Sequence, residues 1–364
     1  MRKIMKNEGV QAFVASVICI LLGLLIGYIV LLFINPAGAG EAILNVIKNF
    51  FYKKPARQMK ELGNTLAKTM PLILCSLSIL FSYKVGLFNI GTAGQYVAGA
   101  CASLYAALAW GWGWLPCMLF AVVAGAFLGG ITGLLKAYCN VNEVISGIML
   151  NWIALYTANT ILTTVKESTS PYTLYLDKVN KSSLLPTVGL DSLFGNNDNV
   201  TIAIPLTIIM AIVVWIILGK TKLGYELKAT GNNKNAAKYA GMAQNRNIIL
   251  TLAISGALAG LGASFLYQSG YMRWECTQSS VPSMGFNGIA AAFLGGLNPL
   301  GAVFSSFFIQ HITDGGQYVN TNFYSSQISD VISSVIIYLC GFVLFIKLTM
   351  KKILANKEEK KGAN

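Results

Sequence analysis

No charged side chain stands between residues 9 and 34, a run rich in Leu, Ile, Val and Gly. About 20 apolar residues are enough to cross hydrocarbon as a helix. In that solvent every backbone N–H and C=O has to be bonded inside the chain, which leaves helices as the way for such a run to cross. The run exceeds the apolar core of a cleaved signal, about 7–15 residues, and no small-residue cleavage site follows closely. Comparable runs recur at 66–83, 95–109, 115–138, 144–165, 200–219, 247–267 and 328–346. Two shorter ones, 284–296 and 299–311, are separated by Gly296-Leu297-Asn298-Pro299. Of 364 residues 55% are hydrophobic and 11% charged, against about 25% charged in a soluble domain. The expected fold is all-α, a polytopic membrane helix bundle of about 8–10 transmembrane helices including short or re-entrant segments.

Charge sets the expected orientation. The net charge of +13 could suggest a nucleic-acid partner, but the lysines gather at the termini and in one loop. That is the pattern of cytoplasmic membrane edges, and no nucleic acid is expected. Placing Arg2, Lys3 and Lys6 inside makes the loop 220–246 cytoplasmic, with Lys220, Lys222, Lys228, Lys234, Lys238 and Arg246. The basic tail 347–364 also returns inside if 284–311 leaves the chain on the side it entered. Non-helical backbone at that depth is tolerated only beside protein or a watery cavity, so 284–311 is a candidate pathway element. Residues 35–62 read as an external amphipathic segment: Ile43, Val46, Ile47, Phe50 and Phe51 fall at helical spacing.

The seven cysteines are scattered without a CxxC pair, and His311 is the only histidine. Neither a disulfide framework nor a metal site is expected. Glycine pairs four apart (Gly23/Gly27, Gly125/Gly129, Gly129/Gly133, Gly256/Gly260) allow helix backbones to approach closely.

Polar residues interrupt this greasy background in three places. Gly86-Leu-Phe-Asn-Ile-Gly91 is echoed by Gly285-Phe-Asn-Gly288. Broken segments in corresponding positions of two halves point to a mid-membrane substrate path. The topology puts the first near the inner side and the second near the outer. Phe88, Asn89, Gln95, Asn151, Trp152, Phe286 and Asn287 are the candidate pathway residues. Asparagine and glutamine supply donors and acceptors without a charge to desolvate, and no intramembrane Lys/Arg cluster awaits a phosphate. Simple capping is the alternative for both asparagines, and core or lipid-interface packing for Trp152. In Asn140-Val-Asn-Glu143, Glu143 stands at a helix start, where it suits the dipole. A proton-relay role would need a second buried acid, and the neighbouring spans hold none. In 224–247, Asn232 or Asn233 can cap a short helix through Ala236, Ala237, Tyr239 and Ala240, ended by Gly241. Its face of small residues is shaped for a groove in another protein. Gly219-Lys220-Thr221 only mimics a phosphate loop: Val214 stands where glycine is required.

GLFNIGTAGQYVAGA, NEVISGIMLNW, GYELKATGNNKNAAKYAGM and GFNGIAAAFLGGLNPLG, in this order, resemble the permease subunits of bacterial ABC importers for nucleosides. These belong with the ribose, simple-sugar and branched-chain amino-acid permeases, and the likeness runs from about residue 62 to 311. The resemblance implies one transmembrane permease domain over 1–364 in a bacterial cell membrane, with both termini cytoplasmic. It implies no cofactor and no ATP site. The implied partners are a second homologous permease subunit, an ABC ATPase subunit with two nucleotide-binding domains, and a lipid-anchored or soluble substrate-binding protein outside. The coupling role carries over to Gly231, Asn232, Ala236, Ala237, Tyr239, Ala240 and Gly241. Thr92-Ala93 stand where relatives often have Ala-Glu. A ribose-type sugar permease is the alternative. A stand-alone secondary transporter predicts paired intramembrane carboxylates and no docking helix, and a membrane-embedded enzyme predicts a nucleophile–base pair or metal ligands.

Overall fold

The computed structural model describes residues 8–320, 322–324 and scattered positions from 331 to 352. Arg2, Lys3, Lys6 and most of the basic tail lie outside the described residues. So does much of the expected 328–346 span, whose described positions are mostly helical. The helices are α1 (Glu8–Ile34), α2 (Ala39–Lys48), α3 (Pro55–Lys84), α4 (Thr92–Leu108), α5 (Trp114–Cys139) and α6 (Glu143–Leu162). After a long connection come α7 (Ala203–Lys220), α8 (Lys222–Asn232), α9 (Lys234–Tyr239), α10 (Gln244–Tyr267), α11 (Met284–Leu294) and α12 (Pro299–Gly315). Among the described residues there is no strand, only two isolated bridges, Lys166 with Thr173 and Tyr172 with Glu275.

Six helices, α1, α3, α5, α6, α7 and α10, are long and apolar enough to cross a membrane. At 1.5 Å per residue the 17 residues of α4 and of α12 reach about 25 Å, and the 11 of α11 about 16 Å. Those three are short elements. The sequence places the second span at 66–83, whereas α3 begins at Pro55 and carries the charged stretch through Arg57 and Lys60 as one helix of 30 residues.

Two compact units divide the chain, Pro55–Ile289 and a second made of Met1–Lys54 with Ala290–Asn364. In the first, α3, α4 and α10 are central. Fourteen of the 17 residues of α4 are buried, and they include small ones on every side. A helix apolar all round belongs inside. The outer helices α5, α6 and α7 leave apolar side chains exposed, among them Val123, Phe127, Ile153 and Ile209, the face a lipid solvent requires. A glycine seam joins α5 to α10. A β-carbon on Gly256 would lie 2.1 Å from the Gly125 carbonyl oxygen, and one on Gly260 2.3 Å from that of Ala121. The connections 166–199 and 268–283 are knitted into one layer. Trp274 is wholly buried and its Nε1 donates to Asn159 Oδ1 at 2.9 Å. Arg273 pairs with Glu167 at 2.8 Å and lies over the rings of Tyr172 and Tyr175.

In the second unit, α2 does not rest on lipid alone. Ala39, Ala42 and Val46 are buried, and Gly315 of α12 lies against the Val46 carbonyl. Leu44, Ile47 and Phe51 stay exposed. His311 fastens this packing: its Nε2 lies 2.9 Å from the Ile47 carbonyl, and Phe50 meets its ring edge-on at 5.3 Å.

Candidate functional site

The first polar interruption is a closed knot. Gly86 sits at φ +78, a left-handed turn that glycine adopts without strain, and the chain then extends before Gly91 starts α4. Asn89 is 1% exposed. Its Nδ2 donates to Gln95 Oε1 at 2.8 Å and to Ser255 Oγ at 2.7 Å, while Gln95 Nε2 donates back to Asn89 Oδ1 at 3.1 Å. Ser255 donates to the Ser78 carbonyl at 2.7 Å. From α6, Asn151 accepts from Gly94 N at 2.7 Å and donates to the Ile90 carbonyl at 3.1 Å. Gly147 comes so near Gly91 that a β-carbon there would stand 2.8 Å from its backbone nitrogen.

These bonds engage three of the expected pathway residues within the protein itself. Asn89, Gln95 and Asn151 offer no open hydrogen-bonding atoms, because each is bonded to its own protein. A buried polar group has to be paired, and here the partners come from the 86–91 turn, α4 and α10. Phe88 is half-buried, edge-on to Tyr83 at 6.4 Å. Trp152 faces outward, 42% exposed and stacked on Tyr156 at 6.1 Å.

The second interruption is open. Phe286 is 40% exposed. The half-buried side-chain amide of Asn287 makes no hydrogen bond among the described residues. The expectation that the two Phe-Asn motifs sit at opposite membrane faces is corrected. A β-carbon on Gly285 would stand 2.5 Å from the Ala93 Cα at the start of α4, and one on Gly288 2.9 Å from Cys75 in the middle of α3. The second motif thus lies beside the start of α4 and the middle of α3.

The third region is α8 with α9. Asn233, not Asn232, caps α9: its side chain accepts from Ala236 N at 3.0 Å. Asn232 ends α8, and Gly241 closes α9 at φ +77. Ala237 is 3% exposed and points into its own chain. Asn232, Ala236, Tyr239, Ala240 and Gly241 face out, Tyr239 being 95% exposed. Gly231 is half-buried against the Val85–Gly86 turn. Beside α9 lies a groove of about 400 Å³ lined by Lys222, Tyr225, Glu226, Gly241, Met242 and Arg246. Glu226 is paired across it with Arg246 at 3.5 Å.

Elsewhere, Asn142 caps α6 by accepting from Val144 N at 2.8 Å, and Glu143 pairs with Lys136 at 2.8 Å. Lys220 and Thr221 mark a helix end and the next helix cap, not a phosphate loop. The sequence reading missed Ser78, Asn247 and Ser255. The legible signal was a four-residue spacing of Asn247, Thr251 and Ser255 on an otherwise apolar run.

The profile of a family described as branched-chain amino acid transport system / permease component matches residues 62–341. The chain is 32% identical to the nucleoside ABC transporter permease protein NupB of Lactococcus lactis subsp. cremoris, covering 96% of this chain and 96% of that one. It is also 32% identical to the guanosine ABC transporter permease protein NupP of Bacillus subtilis, over 95% of this chain and 97% of the relative. The nucleoside ABC transporter permease protein NupC of the same Lactococcus strain is 27% identical over 70% of this chain and 82% of its own length. No solved structure matches the chain.

Proposed function

The chain belongs to the permease-component family of branched-chain amino acid transport systems, and from that premise we propose that it is a nucleoside-translocating subunit of an ABC importer. The observation that carries the reading is α9. A six-residue helix is capped at both ends and seated through Ala237, and it presents Ala236, Tyr239 and Ala240 to the outside beside a groove. An exposed, preformed knob of this kind suits a rigid lever. The basic residues around it support a cytoplasmic location for this loop, and the lysines near both ends of the sequence support the same side for the termini. An ATPase subunit with two nucleotide-binding domains takes the knob. A second permease chain completes the path, as the coexistence of NupB and NupC in one organism suggests. A binding protein delivers solute at the opposite face, where 166–199 and 268–283 form a layer.

The permease changes no covalent bond and holds no ATP site. It has an inward-open and an outward-open arrangement, and a partner shifts their balance only by binding one more tightly. Phe286 and Asn287 are the residues left to meet solute. A ring face and a free amide suit an uncharged base or ribose. The substrate class follows the relatives' names.

Labelled guanosine and ribose uptake into cells lacking this chain tests the reading. Loss of guanosine uptake with ribose unaffected is expected. Ribose loss alone would assign the chain to a sugar. For the knob, Tyr239→Asp should lower ATPase co-purification and uptake about tenfold, equivalent to about 1.4 kcal/mol. Unchanged capture and uptake would remove α9 from the coupling role.

A further inference from the structure

The end of α8 is pressed against the turn that opens the Asn89 knot. A β-carbon on Gly231 would stand 1.8 Å from the Val85 carbonyl oxygen, and one on Gly86 3.0 Å from the Gly231 carbonyl oxygen. Two backbones therefore meet with no side chain between them. The neighbouring Thr230 is 2% exposed, and its Oγ1 accepts from Asn247 Nδ2 at 2.8 Å. Asn247 begins a polar stripe on α10. Thr251 and Ser255 follow at four-residue steps, which places all three on one helix face. Each is wholly buried. Thr251 Oγ1 donates to the Asn247 carbonyl at 2.7 Å, and Ser255 takes the hydrogen bond from Asn89 at 2.7 Å. Eight residues of helix, about 12 Å, thus join the α8–α9 segment to the knot. Leu87 of the same turn packs with Ile248 and Leu252 of α10. The turn, the end of α8 and the start of α10 form a three-part joint.

One atom in the joint is unsatisfied. Asn247 Oδ1 is buried and has no donor among the described residues. A buried acceptor without a partner is costly, and such atoms in native proteins call for a physical reason.

We propose that Thr230, Gly231 and Asn247 form the joint that passes displacement of the α8–α9 segment into the Asn89 knot, with Asn247 as the positioning residue. This rests on the importer reading above. The Gly231–Gly86 contact transmits a push directly, since no flexible side chain absorbs it. The Thr230–Asn247 bond transmits a pull. The unpaired Oδ1 destabilises the observed arrangement, so an arrangement that gives it a donor is favoured relative to this one.

The test uses the assembled transporter in proteoliposomes: this chain, its partner permease, the ATPase and the binding protein. Labelled guanosine uptake and ATP hydrolysis are measured in parallel. Thr230→Val and Asn247→Leu should raise the ATP consumed per solute moved at least threefold, and Gly231→Ala more. Gly219→Ala is the control, since a β-carbon there meets nothing within 4 Å, and its ratio should equal that of the parent. A purely structural role would lower uptake and hydrolysis together and leave the ratio unchanged, which would overturn the joint. If Gly231→Ala does not assemble, the near-isosteric Thr230→Val decides alone. If the parent protein itself shows no ATP-dependent uptake of either solute, the importer reading falls first, and the variants are not what refuted it.

Discussion

Asn89 and Asn287 occupy nearly the same local sequence, Phe-Asn flanked by glycine, and meet opposite fates. Asn89 is sealed by Gln95 and Ser255, whereas the half-buried amide of Asn287 is unbonded among the described residues. Gly285 and Gly288 bring the second motif against Ala93 and Cys75. The difference lies in what surrounds them. The first is enclosed by α3, α4, α6 and α10, and the second lies at the start of a short helix where Phe286 stays exposed. The comparison teaches that a polar residue in a membrane bundle is available to solute only where neighbouring helices have not already used it.

The largest expected effect comes from the sealed member. Asn89→Leu leaves Gln95 and Ser255 without their buried partner, at about 1–3 kcal/mol for each orphaned group. Thermal unfolding in detergent should show a loss of about 3 kcal/mol. An equal loss in Asn287→Leu would erase the contrast. Next, Gly285→Ala tests the contact with α4. Its new methyl meets α4 backbone and should cost about 2 kcal/mol by overpacking, with Ala93→Gly recovering part of it. No loss would mean that α11 does not lie against α4.

Asn287→Leu sharpens the functional side. Stability should stay within about 0.5 kcal/mol, while the KM for uptake rises about tenfold, or about 1.4 kcal/mol. An unchanged KM would leave the open amide without a solute. The smallest effect lies away from both motifs. The Ser170 hydroxyl and then the Arg273 guanidinium hold the Glu167 carboxyl below its ordinary value. A lowered carboxylate pKa means that the stabilising contact is fully present above the ordinary glutamate value. It is lost only as pH falls through the lowered one. Between about pH 7 and 5 the bridge should persist. A more acidic melt should weaken the outer layer slightly, and Glu167→Gln should abolish that dependence.

Much of the fold was legible in residue order. The ends of α5, α6, α7 and α10 fall within a few residues of the apolar runs, and Gly125/Gly129 and Gly256/Gly260 do bring helices together. The start of α3 was not, because the helix outlasts its hydrocarbon stretch and Arg57 and Lys60 look like loop. The polar motifs read from the sequence are where the structure gathers buried hydrogen bonds and an exposed short helix. Ala237 carried the small, apolar character of a docking face and turned inward. Asn151 looked like a cavity residue and instead clamps the start of α4.

Residue order alone determined that this is a helical membrane protein. Chain length against hydrocarbon thickness and the need to bond every backbone amide inside the helix leave few alternatives, and both are local properties. Only tertiary structure decided which polar groups were spent and which remained. A hydrogen bond such as Asn89 to Ser255 joins residues 166 positions apart, and no local pattern records whether that distant partner arrives.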